Sequence, residues 1–323
     1  MNRKCNIITD SCADLTRAYC DEHDLTILHF TYAEAGKGED GFAGVDDLFA
    51  SRTPHEFYDA IRNGAMPMTS QPSQGEMETV FRAALATGVP TVYLCFSSGI
   101  SGCYDGACAV LGRLKEELGD DIPLYVVDLK IGSTPQSLFI VEAVRQRDAG
   151  LTAQELVAWA REARWYVQTI FMVDDLAALR RGGRIPAALA VVGGLIDLKP
   201  LLTFALDGSL ASMGVARGRK KAMRKMADFF AKNHSSDSYG SDLVAMGNAD
   251  CPKDLRTFQE IVRKKDDSVV FMETTIGPTI GCHVGPGMMS LCFWGNDRRK
   301  GASVSDRIAA EVKSESGRLR FGA

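Results

Sequence analysis

The sequence predicts an α/β protein of two domains: an N-terminal α/β domain on a parallel sheet, then a C-terminal α+β layered domain with a mixed sheet. Three observations predict it. Pro90-Thr-Val-Tyr-Leu-Cys-Phe96 and Leu124-Tyr-Val-Val-Asp128 are continuous apolar runs of strand length, the pattern of strands covered on both faces. Strand-like and helix-like runs alternate through the first half, as repeated β-loop-α units do. In the second half Asp207-Gly208 separates two strand-like runs, a hairpin signal foreign to a purely parallel sheet. A length of 323 residues suits two cores. The boundary falls near 150–166, giving domains over 1–160 and 161–296 and a polar tail over 297–323.

The elements follow in order. Cys5–Thr9 reads as a short strand, and Asp10 and Ser11 offer N-cap oxygens to a helix over Leu15–His23. Ala33–Gly44 is polar and Gly-rich, part of a loop or small subdomain over about 31–53. Pro54–Asn63 and Glu76–Ala86 read as helices, the second preceded by Ser73, which with Glu76 fits a capping box. The buried strand ending at Phe96 leads into a helix over Tyr104–Leu118. The strand ending at Asp128 leads to a helix over Ser137–Asp148, stopped at Gly150. Gln154–Arg164 is helical, with Trp159 and Trp165 available for packing. Val167–Val173 is a strand and Asp174–Arg181 a short helix. Pro186–Ile196 is apolar all round, as in a buried segment. Leu198–Phe204 and Leu210–Ala216 make the hairpin, and Lys220–Lys232 a helix. Asp242–Met246 and Ser268–Glu273 are strands around a helix over Lys253–Lys265. Ile276–Gly287 is expected to be irregular, and Met288–Phe293 to close the sheet.

Composition narrows the function. The chain is 46% hydrophobic and 24% charged, with a net charge of −4, which disfavours generic nucleic-acid binding. No apolar run approaches the roughly 20 residues that span a bilayer. The start, MNRKCNIITDS, is too polar and short for a signal peptide, so the expectation is a cytoplasmic protein. Nine cysteines are present with no C-x-x-C pair, and the five histidines are scattered; buried free thiols and no structural metal are expected. Neither a G-x-x-x-x-G-K-[ST] loop nor a G-x-G-x-x-G after a strand occurs, so ATP or NAD binding in cis is unsupported, and no cofactor is expected.

Two hydroxyl-rich turns stand out. In an open parallel sheet, ligands sit at the carboxyl ends of strands. Ser97-Ser-Gly-Ile-Ser-Gly102 is such a position, between strand and helix. Ser97, Ser98 and Ser101 bring hydroxyls, and the glycines, Gly102 included, allow close backbone approach to an anion. An ordinary N-cap with turn glycines reads equally well. In Thr69-Ser-Gln-Pro-Ser73, Ser73 is taken up by its cap, whereas Thr69 and Ser70 are free to donate. His283 lies in a loop of four glycines and two prolines, costly to order unless it serves a site. Ser101 with His283 as base would make a serine esterase or thioesterase, but glycine stands one place early for a G-x-S-x-G elbow and no acid is placed to orient the histidine. Arg180, Arg181 and Arg184 cap a helix C-terminus or meet an anion. The basic run from Arg217 to Lys225 reads as a solvated face or a protein-docking face; without interleaved aromatics, nucleic acid comes last.

These pieces in this order resemble the DegV family. The matching stretches are Ile8-Thr-Asp-Ser11, Thr69-Ser-Gln-Pro-Ser73, Ser97-Ser-Gly-Ile-Ser-Gly102 with Tyr104, and Arg181-Gly-Gly-Arg-Ile185. Lys199-Pro200, Asp207-Gly208, Arg217-Gly-Arg-Lys-Lys-Ala222 and Ile280-Gly-Cys-His-Val-Gly-Pro-Gly287 continue the series. The resemblance spans roughly residues 5–295. It implies a non-enzymatic two-domain carrier that holds one long-chain fatty acid in a tunnel between or under its domains. It further implies a partner, the catalytic subunit of a fatty acid kinase, which makes an acyl phosphate for phospholipid synthesis. Transient membrane contact would accompany that role; a lipid sensor without a kinase is the alternative. Carried over by motif, Thr69 and Ser101 hold the carboxylate, with Ser70, Ser98, Gly102 and His283 around them. Arg181, Arg184 and Arg217 lie near the head group or face the kinase. Burying a sixteen-carbon tail at about 0.8 kcal/mol per methylene yields roughly 12 kcal/mol gross. The hydroxyls then decide mainly which end faces out. The sequence departs from the family pattern at Cys103, where threonine is usual, at Asp128–Ser137, and in a longer passage over 32–53.

Overall fold

The computed structural model describes residues 4–174, 176–186, 189, 197–234 and 242–301. The apolar runs of the first half, β1 (Asn6–Asp10), β2 (Leu25–Leu28), β6 (Thr91–Cys95) and β7 (Leu124–Asp128), form a parallel sheet in the order β2-β1-β6-β7. Between β2 and β6 the chain makes a small antiparallel sheet, β4-β3-β5, from β3 (Thr31–Ala33), β4 (Ala43–Val45) and β5 (Met68–Ser70). The helices of this half are α1 (Arg17–Glu22), α2 (Pro54–Arg62), α3 (Gln74–Ala86), α4 (Cys103–Leu118), α5 (Thr134–Asp148) and α6 (Ala153–Ala163).

The second half builds a mixed sheet in the order β10-β9-β8-β13-β11-β12. Its strands are β8 (Val167–Met172), β9 (Leu198–Phe204), β10 (Leu210–Arg217), β11 (Leu243–Asn248), β12 (Val270–Thr275) and β13 (Met289–Trp294). Only β11 and β12 run parallel; the other neighbours are antiparallel. The helices are α7 (Ala177–Arg181), α8 (Arg219–Asn233), α9 (Pro252–Arg263) and α10 (Pro278–Val284).

Burial orders these parts into layers. Met77 and Phe81 of α3 and Val110 and Leu114 of α4 pack on one face of the parallel sheet. α5 and α6 are shared: their Leu138, Phe139 and Leu156 join Val92 and Leu94 of β6 to Cys292 and Trp294 of β13. Phe139 sits between Trp159 and Trp294, with ring centroids 5.0 and 6.0 Å away. Burying such a ring contributes about 1.5–3 kcal/mol. That is why α5 is buried on nearly every side, its polar Thr134, Gln136 and Ser137 included: it faces two sheets at once. Met226 and Phe230 of α8 and Phe258 of α9 cover the far face of the mixed sheet.

The structure corrects four expectations. The cap of α1 is Thr16, whose side chain accepts from Tyr19 N. Asp10 and Ser11 turn inward instead: Asp10 accepts from Phe96 N and Ser11 Oγ accepts from Phe30 N. At α3 only half of the box forms. Ser73 accepts from Glu76 N, but the Glu76 carboxylate reaches His29 N. Part of Ile276–Gly287 is helical, since Pro278–Val284 is α10. And β13 does not close the sheet; it lies inside it, between β8 and β11. Most of Pro186–Ile196, and the tail beyond Gly301, lie outside the described residues.

Candidate ligand-binding site

The ends of the first-half strands and the inner face of the mixed sheet enclose a cavity of about 370 Å³, within the usual range of small-molecule sites. Phe30, Phe96, Ile100, Phe171, Phe204 and Ile280 supply much of its wall. Thr169 and Thr279 also line it, but their hydroxyl oxygens are sealed from solvent-sized space, so they present carbon to the interior. Polar groups gather at one region, where Thr69, Ser70, Gln71, Ser101, Gly102, Arg184 and His283 meet. The two hydroxyl turns are thus brought together. A more open cleft of about 410 Å³ adjoins this mouth and shares Ser101, Gly102 and Arg184 with it.

Each side chain is placed by a local device. β5 presents Thr69 inward while Met68 and Ser70 on either side are exposed, the alternation of a strand. α10 brings His283 to Thr69: its Nε2 lies 2.8 Å from Thr69 Oγ1. The other nitrogen, Nδ1, has no partner and lies against Gly182, where a Cβ would come within 2.2 Å of it. Gly182 is therefore needed for the ring to fit, and Gly183 takes a left-handed φ of 71° that glycine adopts freely. An orphaned lone pair at Nδ1 costs less than an orphaned N–H. The ring accordingly carries its proton on Nε2 and donates to Thr69, leaving the Thr69 hydroxyl proton for a ligand. Burial, aided by the Arg184 and Arg181 charges, pushes the His283 pKa down to about 4, so the imidazole is neutral near pH 7.

α10 is held by acidic side chains from far away in the chain. Gly277 N donates to Asp14 Oδ1 at 2.8 Å, and Thr279 N donates to Asp46 Oδ2 at 2.9 Å. Burial raises Asp14 to about 8 and Asp46 to about 6. Arg184 ties the mouth together, donating from Nε to Ile100 O and from its guanidinium to Gly182 O.

The remaining predicted residues separate. Ser101 Oγ accepts from Cys103 N at 3.2 Å, while the bond of His283 goes to Thr69; the pairing needed for a serine hydrolase is not assembled. Ser98 does not reach the cavity. Its hydroxyl donates to Asp128 Oδ2 at 2.5 Å and accepts from Lys130 Nζ at 2.8 Å, beside the buried Lys130–Asp128 pair at 2.7 Å. Ser97 donates to Gly208 O across the two halves. Arg181 and Arg217 are exposed and do not line the cavity. In the basic run, Arg219 is an internal tie to Asp174 and Asp254. At the Cys103 departure the backbone N meets Ser101 at the mouth, but the thiol turns away and is buried against the Tyr93 hydroxyl at 3.2 Å. Sequence reasoning missed Gln71, Phe96 and Gly132 as lining residues. Gln71 stood inside a quoted motif and Gly132 inside the departing stretch Asp128–Ser137; Phe96, an apolar residue at a strand end, carried no signal.

The nine cysteines are free, seven of them buried. Asp10, Cys95 and Cys103 lie close enough to consider a metal, but the Tyr93 hydroxyl bonds both Asp10 and Cys103. The surface group His55, Asp59 and Asp250 already holds the Arg62 guanidinium. Among the described residues no helix is long and apolar enough to cross a membrane.

The family model "Uncharacterised protein, DegV family" matches residues 4–296. The chain belongs to the DegV family. A DegV domain-containing protein of Lactococcus lactis is 31% identical over 286 residues, 88% of this chain and 96% of its own length. A solved structure from Thermotoga maritima, described as a DegV lipid binding protein, is 26% identical with a TM-score of 0.74, covering 91% of this chain and 99% of that one. A second Thermotoga maritima protein, described as revealing a fatty acid binding function, is 25% identical with a TM-score of 0.74, covering 91% and 100%. The DegV two-domain fold accounts for a cavity bounded by both sheets.

Proposed function

We propose that this DegV protein is a carrier that binds one long-chain fatty acid in the cavity and presents its carboxylate to a separate kinase subunit, which forms the acyl phosphate. The observation that carries the reading is the mouth itself: a hydroxyl held by a neutral histidine, with a second hydroxyl beside it, at one region of a largely apolar chamber. A carboxylate accepts hydrogen bonds from the Thr69 and Ser101 hydroxyls and from the Gly102 backbone N–H, with Ser70 beside them. Each bond to the charged group contributes about 1.5–3 kcal/mol, enough to orient the acid without the grip of a bidentate arginine. The relatives described as lipid-binding and fatty-acid-binding support the ligand class. Arg181, Arg184 and Arg217, exposed on the described surface, are offered to the kinase or its phosphates.

Mass spectrometry of ligand extracted from purified protein tests the first half. One long-chain acid per chain is expected, with retention reduced by a Thr69→Ala/Ser101→Ala pair while the fold persists. Undiminished acid in that double variant would remove the head-group assignment. Reconstitution with a fatty acid kinase catalytic subunit and ATP tests the second half: acyl phosphate is expected only when both proteins are present.

A further inference from the structure

The cavity wall contains a contact that side chains normally cannot make. A Cβ built on Gly132 would lie 1.8 Å from Cε2 of Phe96 and 2.3 Å from its Cδ2. The Phe96 ring therefore rests directly on the Gly132 backbone. Phe96 is 5% exposed, and both residues line the cavity. From these contacts we propose that Phe96, seated on Gly132, sets the length of acyl chain the cavity accepts. The assignment rests on the fatty-acid reading above and names what that site selects.

Neither backbone is free to give way. Phe96 N donates to Asp10 Oδ2 at 2.8 Å, and Ser97 N to Ile131 O at 3.1 Å. On the other strand end, Leu129 N donates to Cys95 O and Ser133 N to Cys12 O. Phe30 meets the ring edge to face, with centroids 5.9 Å apart and planes at 77°. So the ring has the glycine backbone beneath it and Phe30 beside it. The adjoining empty volume is the cavity. Any side chain at 132 larger than hydrogen drives the ring into that volume, because a close-packed interior has no other place to put it. A smaller side chain at 96 enlarges the chamber instead.

The test loads wild type, Gly132→Ala, Phe96→Leu and the double variant with an equimolar ladder of saturated acids from laurate to arachidate. Bound acid is then extracted and weighed by mass spectrometry. Gly132→Ala is expected to shift the bound set to shorter acids, losing about tenfold or more in affinity for each methylene excluded. Phe96→Leu is expected to shift it to longer ones, and the double variant to return toward wild type. An unchanged length distribution in both single variants, with acid still bound, overturns this assignment alone. Wild type that takes up no acid from the ladder overturns the fatty-acid reading and this one with it. If Gly132→Ala does not fold, Phe96→Leu decides: longer acids support the proposal and an unshifted set refutes it.

Discussion

His283 makes a single hydrogen bond, to Thr69, and turns its other nitrogen to a glycine. If, as proposed, it fixes the direction of the Thr69 hydroxyl, a side chain that offers an N–H in the same place should keep part of the function. His283→Gln is expected to retain acid better than His283→Ala, which should lose about tenfold in retention, the equivalent of one hydrogen bond. Equal retention in the two variants, measured by ligand extraction, would show that the ring only fills space. A pH signature accompanies it. The folded ring titrates at about 4 against an ordinary 6.5, so the unfolded chain binds the extra proton first. This group's contribution to stability is whole above about pH 6.5 and is lost as pH falls toward about 4. Urea midpoints of His283→Gln should lack that part of the slope. Thr69 was legible as a lining residue because its hydroxyl stood outside the cap that Ser73 takes. Ser101 was singled out only by the family resemblance, since a cap reading of its loop fitted equally well, and its hydroxyl does accept from the first amide of α4. Phe96 was not legible, because an apolar ring at a strand end reads the same whether it faces a core or a cavity.

At the scale of elements, most strands of the two large sheets were legible because their periodicity and apolar runs belong to the segments themselves; β2, only four residues long, was not. Nor was α10. It is seven residues long with a glycine inside it, and an isolated helix of that length has little stability of its own. What forms it is tertiary: Asp14 and Asp46, more than two hundred residues away, accept from its first amides. The place of β13 was hidden for the same reason, since sheet order is set by partners rather than by a strand's own residues. The two carboxylates carry a testable cost. Burial raises Asp14 from 3.8 to about 8, against the pull of its bonds to Ser133 and Gly277 and with help from Asp46. The native state therefore prefers the protonated acid, and stability falls as pH rises from about 4 to about 8. Asn mimics the protonated form. Asp14→Asn is expected to flatten that decline and to match or exceed wild type at pH 9, by an amount on the order of a few kcal/mol. A variant whose urea midpoint drops at pH 9 as steeply as the wild type's would show that Asp14 is not the group that titrates.

Across the whole molecule, the site exists because two halves meet along a seam with no slack. The serine loop of the parallel sheet abuts the hairpin turn of the mixed sheet. A Cβ on Gly99 would lie 2.1 Å from the carbonyl carbon of Gly208 and 2.3 Å from Ser209 N. Both are backbone, so no flexible side chain can yield. Ser97 Oγ donates to Gly208 O beside this contact, and Ser98 is pinned from below by Asp128 and Lys130. Ser101 follows within the same loop, so its position at the mouth is inherited from the fit between the halves. The loop's glycines read in the sequence as freedom to approach an anion; Gly99 instead approaches another backbone. Gly99→Ala is expected to push the halves apart, costing about 1–3 kcal/mol as an overpacked contact does, and to release bound acid. Gly112, in the middle of α4 with nothing within 4 Å of its would-be Cβ, is the matched control. There alanine should stabilise by about 0.5–1 kcal/mol through helix propensity and leave acid content unchanged. Urea midpoints and extracted ligand separate the two. If Gly99→Ala behaved like Gly112→Ala, the seam would be loose, and the mouth would have to be held by the first half alone.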